Sequence, residues 1–221
     1  FRVLEFMDSA ITLVFQLAIL IFSVVIHEVS HGLSAYALGD PTAKYAGRLT
    51  LNPLKHLDPV GSFLVPLASF LLGGIIIGWA KPVPYNPYYL QVKNKDVGSA
   101  IVGVAGPAAN ILVALIFGLV VRSAEFWGPA LGNASSALIA IMSSIALINL
   151  ILAVFNLLPI PPLDGSKVLF SILPHQATAL KMMLEQFGFV ILLFFIIYFA
   201  HWILPVVAML FRLITGINLA G

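Results

Sequence analysis

The chain has 221 residues, of which 61% are hydrophobic and only 9% charged; an ordinary soluble domain carries roughly a quarter charged residues, so neither a water-facing globule nor a disordered chain can be built from it. Eleven Lys and Arg against nine Asp and Glu leave a net charge of +2, too little to track the phosphates of a nucleic acid, and without cysteine there are no disulfides or thiolate metal sites. What remains is an integral multi-pass membrane protein with the lipid bilayer as its surroundings.

Five runs lack Asp, Glu, Lys and Arg: Ser9–Ile26, Pro59–Ala80, Val97–Val121, Phe126–Leu163 and Gln186–Phe211. About 20 apolar residues cross a hydrocarbon core, so each run is long enough to be embedded. The first helix is expected to start at the capping pair Asp8-Ser9 and to stop at Leu38-Gly39, before Pro41. The polar stretch Asp40–Asp58 follows, and within it Lys44–Leu51 alternates well enough to predict a short membrane-associated β element. Pro59–Ala80 carries Pro66, Gly73-Gly74 and Gly78, residues suited to a break or a return. Lys81–Tyr89 is a proline-rich loop whose three tyrosines suit a membrane interface. Helices are predicted over Ser99–Arg122 and Ala134–Leu158, then a Pro-interrupted segment, an amphipathic piece over Ser166–Glu185, and a last hydrophobic stretch broken at Pro205. No repeat is visible, and residues 1–221 read as one membrane-embedded domain. The fold expected is an all-α polytopic membrane protein: a transmembrane helix bundle with a short β element and a re-entrant segment. Lys and Arg divide almost evenly between the two faces, so they do not orient the chain.

His27-Glu28-Val29-Ser30-His31 has the HExxH spacing and lies inside the first hydrophobic helix. At 3.6 residues per turn both imidazoles share a face and can reach one Zn²⁺, with Glu28 beside them to reach its water. Ionisable groups at membrane depth are expensive and usually functional. A zinc site of this kind takes a third protein ligand and leaves its fourth position to water. Asp164 is the outstanding candidate, because prolines break the backbone just before it and Gly165 permits close approach. A plain N-cap of the helix beginning at Ser166 is the competing role for Asp164.

Three motifs in order, HEVSH at 27–31, Gly106-Pro107-Ala108-Ala109-Asn110, and Asn156-Leu157-Leu158-Pro159-Ile160-Pro161-Pro162-Leu163-Asp164-Gly165, resemble the site-2 protease family of intramembrane zinc metalloproteases. Nothing resembles a PDZ or CBS domain, so the likeness is to a compact member. The resemblance implies one Zn²⁺ per chain on His27, His31 and Asp164, with Glu28 as catalytic acid/base. It also implies a single-span transmembrane protein as substrate, cut within its membrane segment in regulated intramembrane proteolysis, and a place in the cell membrane.

Weaker candidates surround these. His56 reads either as a residue entering the site or as an interfacial histidine. Asn110 and Asn156, from the family motifs, read as steadying substrate or the Asp164 turn, or as helix pins; Asn149 reads as a helix pin. The competing function is a membrane metal-ion transporter using His27, His31 and Asp164 as a transient site, which would not need Glu28. Finally, the histidines and Asp164 both lie near the exit ends of their helices. One metal can join them only if those helices cross in the same direction. Pro59–Ala80 should then not cross, and the loops Asp40–Asp58 and Lys81–Asp96 should share a face.

Overall fold

A computed structural model of the chain describes residues 10–58, 81–132 and 134–219. Among these residues its only regular elements are helices, and the α-helices are numbered here in chain order. They are α1 (Ala10–Ala37), α2 (Thr42–Tyr45), α3 (Lys95–Arg122), α4 (Ala124–Leu131), α5 (Ala134–Asn156), α6 (Gly165–Ile172), α7 (Thr178–Phe199) and α8 (Ile203–Thr215). Four segments are long and apolar enough to cross a membrane: α1, α3, α5, and the 38 residues of α7 and α8 taken together. The Asp8-Ser9 cap and the re-entrant segment expected over 59–80 lie outside the described residues.

Helix α3 is the axis of the bundle, packing against α1, α5, α6 and α8. Its buried stripe is made of small residues at helical spacing: Gly103, Gly106, Asn110, Ala114 and Gly118. Between membrane helices there is little hydrophobic driving force, and close approach of backbones over such residues is what holds them together. On α1 the i, i+4 ridge Ser23, His27, His31 and Ala35 is buried, while Leu13, Val14, Phe15 and Phe22 are left exposed, as expected of side chains facing lipid. Two starts and stops follow elementary chemistry. Asn94 caps α3 by accepting hydrogen bonds from the N–H groups of Asp96 and Val97, and Gly39, at φ +97°, turns the chain out of α1.

The expected β element is corrected: no strand occurs among the described residues, and 47–51 is irregular. Asp40 accepts hydrogen bonds from Thr42 N–H and Oγ1, winding 42–45 into a helical turn. Gly47 then takes φ +64°, which breaks the extended alternation. The carbonyl of Thr50, which a strand would offer to a neighbour, accepts from His56 Nε2 instead. The last hydrophobic stretch also breaks earlier than expected, in the 3₁₀ turn Ala200–Trp202. Pro205 sits in the first turn of α8, where no intrahelical donor is required of it.

The loops 40–58 and 81–92 meet at one end of the bundle. Lys81 N–H donates to the His56 carbonyl at 2.9 Å and Gln91 N–H to the Leu38 carbonyl. Arg48 reaches the Lys81 carbonyl, and Asn86 N–H donates to Asp40 Oδ2. Helix α3 runs antiparallel to α1, since His31 lies against Val102 and His27 against Asn110. With α5 returning alongside, the C-terminal ends of α1 and α5 reach the same end of the bundle.

Candidate metal centre

Each member of the centre comes from a different local device. His27 and His31 lie one turn apart on α1, their ring centroids 4.6 Å apart and their planes at 87°. Asp164 lies in the turn between α5 and α6. It occupies the cap position of α6, yet its side chain makes no capping bond, so the plain capping role is overturned. The turn fits because Gly165 has no side chain: a Cβ there would lie 2.2 Å from the Leu157 carbonyl oxygen. Asp164 Oδ2 lies 3.0 Å from both His27 Nε2 and His31 Nε2, and the two Nε2 atoms are 3.0 Å from each other. All three residues are buried.

The outer faces of the two rings decide what the inner faces are. His31 Nδ1 lies 2.7 Å from the Val102 carbonyl, which can only accept, so Nδ1 carries the hydrogen. His27 Nδ1 lies 2.6 Å from Asn110 Oδ1, again an acceptor. In the neutral rings that a metal ligand requires, both Nε2 atoms turn bare lone pairs toward one another and toward the carboxylate. Three acceptors in mutual contact repel unless a cation lies among them. Zinc bonds of about 2.0–2.1 Å at tetrahedral angles space their donors roughly 3.3 Å apart, close to the triangle seen here. The donor set fits a divalent metal with imidazole and carboxylate ligands.

Asp164 divides its oxygens: Oδ2 faces the histidines and Oδ1 accepts from Lys167 Nζ at 2.9 Å. The Lys167 ammonium beside Oδ1 favours the carboxylate form of Asp164. Gly106 makes the room for the rings, since a Cβ there would come within 2.5 Å of His31 Nε2 and 2.7 Å of His27 Cε1. Pro107 in the same turn of α3 has no N–H to give the Gly103 carbonyl, and Gly103 in turn lets the backbone of Asp164 and the stem of Lys167 pack close.

Glu28, the neighbour of His27, points toward the 81–92 loop, where its Oε2 accepts from Val83 N–H at 2.8 Å. Because Val83 stands between Pro82 and Pro84, its N–H is the only backbone donor in that triplet.

Of the weaker candidates, Asn110 touches His27 directly. Asn156 donates to the Leu152 carbonyl of its own helix. His56 is buried, donates to the Thr50 carbonyl and carries the backbone bond to Lys81, so it joins the two loops. It does not stand with the His27–His31–Asp164 group. Sequence reasoning missed Lys167, Val83 and the Val102 carbonyl. The i+3 spacing from Asp164 was a signal for Lys167; backbone groups such as the other two leave none.

The comparisons agree with this geometry. The model of peptidase family M50 matches residues 15–198. The Bacillus subtilis protein named "Putative zinc metalloprotease YwhC" is 39% identical over 175 residues, covering 79% of this chain and 76% of that protein. "Putative zinc metalloprotease Rip2" of Mycolicibacterium smegmatis is 35% identical over 179 residues, covering 80% of this chain and 64% of its own length. The protein of that name from Mycobacterium tuberculosis H37Rv is 29% identical over 171 residues, 77% of this chain and 62% of that one. No solved structure matches the chain. A match of this extent, over a centre of two histidines and an aspartate, places the chain in peptidase family M50, the site-2 protease family of zinc metalloproteases.

Proposed function

We propose that the chain is an intramembrane zinc endopeptidase that cuts a peptide bond in the transmembrane segment of a single-span membrane protein, in the cell membrane, as a step of regulated intramembrane proteolysis. The observation that carries this reading is the convergence of three potential ligand atoms, His27 Nε2, His31 Nε2 and Asp164 Oδ2, 3.0 Å apart within a helix bundle. These residues hold one Zn²⁺ per chain. When bound, the metal supplies Lewis acidity, polarising the scissile carbonyl and lowering the pKa of water to about 7.

The remaining steps belong to the protein. Glu28 takes the proton of the attacking water and hands it to the leaving amine. Its bond from Val83 N–H fixes one carboxylate oxygen and leaves the other for the proton. His27 and His31 present Nε2 to the metal, because their Nδ1 hydrogens are committed to the oxygens of Asn110 and Val102. Lys167 balances part of the Asp164 charge and keeps its second oxygen away from the metal.

Glu28→Gln separates this reading from a metal-ion transporter. The variant should keep its zinc and lose cleavage of a single-span substrate in proteoliposomes by about 10²–10⁴-fold. Zinc uptake into the same vesicles, unaffected by the substitution and without cleavage by the wild type, would establish the transporter instead.

A further inference from the structure

Asn149 and Ser23 belong to none of the motifs, and nothing in the family match assigns them a role. Both are buried, and Asn149, like Asn110, is fully so. They close a chain of hydrogen bonds that ends on a metal ligand, and its donors and acceptors can be assigned without ambiguity. Asn149 Nδ2 lies 2.9 Å from the Ile145 carbonyl, which can only accept, so the nitrogen is correctly on that side; it also donates to Ser23 Oγ at 2.9 Å. Asn149 Oδ1 must therefore face Asn110. Asn110 Nδ2 gives one hydrogen to that oxygen at 2.7 Å and the other to the Ser23 carbonyl at 3.2 Å. This leaves Asn110 Oδ1 for His27 Nδ1, at 2.6 Å. An oxygen cannot donate, so the neutral His27 ring carries its hydrogen on Nδ1 and bares Nε2.

We infer that Asn149, in α5, is a positioning residue for the metal centre: acting through Asn110, it locks His27 in the tautomer whose Nε2 lone pair faces the metal. The shorter of the two locks on the Asn110 amide is the one Asn149 supplies. Without it, the amide has a hydrogen with no buried partner and is held only by the longer bond to Ser23. A turned amide would present Nδ2 to His27 and favour hydrogen on Nε2, the atom the metal needs. A helix pin is a weaker description, because a pin needs hydrogen bonds of either polarity. This chain has one polarity along its whole length. The inference rests on His27 being a metal ligand, as proposed above.

The test uses the full chain, metal-free and then titrated with zinc against a chromophoric chelator. In metal-free protein labelled with ¹⁵N-histidine, at a pH where the ring is neutral, the wild type should show His27 with hydrogen on Nδ1. Asn149→Leu, close in size but without an acceptor, should shift population to hydrogen on Nε2 and weaken zinc binding on the order of 10–100-fold. Asn149→Asp keeps an oxygen facing Asn110, and in its neutral acid form the other oxygen can donate to the Ile145 carbonyl and accept from Ser23 Oγ, so it should retain the wild-type tautomer and affinity. Asn149→Leu with unchanged spectrum and unchanged affinity overturns the inference. So does a wild-type His27 with bare Nδ1, which decides the matter even if Asn149→Leu does not fold. The two readings fail separately. Zinc bound equally well after His27→Ala would overturn the ligand assignment and this inference with it, whereas tight wild-type binding that Asn149→Leu leaves unmoved overturns only the role of Asn149.

Discussion

Helix α3 is built from small residues along its whole buried stripe, but its two halves use them for different ends. In the first half, Gly103 and Gly106 bring the helix against Asp164, Lys167 and the two imidazoles, and Asn110 and the Val102 carbonyl hold the rings by directed hydrogen bonds. In the second, Ala114 packs into an apolar core with Ala146, Leu150, Val207 and Phe211, and Gly118 lies so close to α8 that a Cβ would come within 2.4 Å of Ile214 Cγ2. One device, the missing side chain, makes a cradle for ligands at one end and a dry seam at the other. The difference is in what fills the space: polar groups whose polarity is fixed by their partners, or methyl groups that need only fit.

The largest test of the contrast removes the ligands. A His27→Ala, His31→Ala double variant should lose stoichiometric zinc altogether, measured by elemental analysis of purified protein, while α3 and α8 still pack. Zinc at one equivalent in that variant would move the metal centre elsewhere.

A single methyl group added to each half comes next. Gly106→Ala should push the imidazoles apart and cost zinc affinity by more than the 10–100-fold typical of an outer-shell change, with the unfolding midpoint of the metal-free protein nearly unchanged. Gly118→Ala should do the reverse, lowering stability by about 1–3 kcal/mol through overpacking and leaving zinc titration as it was. Equal effects of the two substitutions on both readouts would erase the distinction between the halves.

Lys167→Met asks how much of the polar half depends on charge balance. It frees Asp164 Oδ1 and should weaken zinc by about tenfold, the lower end for an outer-shell partner, with Lys167→Arg restoring most of the loss. The gentlest test is topological. Lys55 and Lys93 are exposed in the two loops that meet at the ligand end, and the chain has no cysteine of its own. Cysteines placed at these positions should label from the same side of sealed vesicles; labelling from opposite sides would contradict the joining of the loops through His56 and Lys81.

Much of this was legible in the residues. The 3.6-residue period puts His27 and His31 on one face without any knowledge of the rest of the chain, and runs of about twenty apolar residues announce segments that a membrane can hold. Asp164 stood out because prolines and a glycine isolate it after an uncharged helix. Local alternation misled at 44–51, because a strand needs a partner edge and the sequence cannot say that the Thr50 carbonyl will be taken by His56. The same limit hid Val83, the Val102 carbonyl and the role of Asn149.

The sequence by itself thus determined the class of solvent, the spans, and the types and spacing of the ligands, because these depend on composition and on the helix period. Only the tertiary structure decided that Asp164 turns its oxygens to the histidines and Lys167 instead of capping α6, and that Glu28 is held by a loop 55 residues away. It also decided which nitrogen of His27 bears the hydrogen. Those are questions of polarity between groups distant in the chain, and a hydrogen bond has no direction until both of its partners are in place.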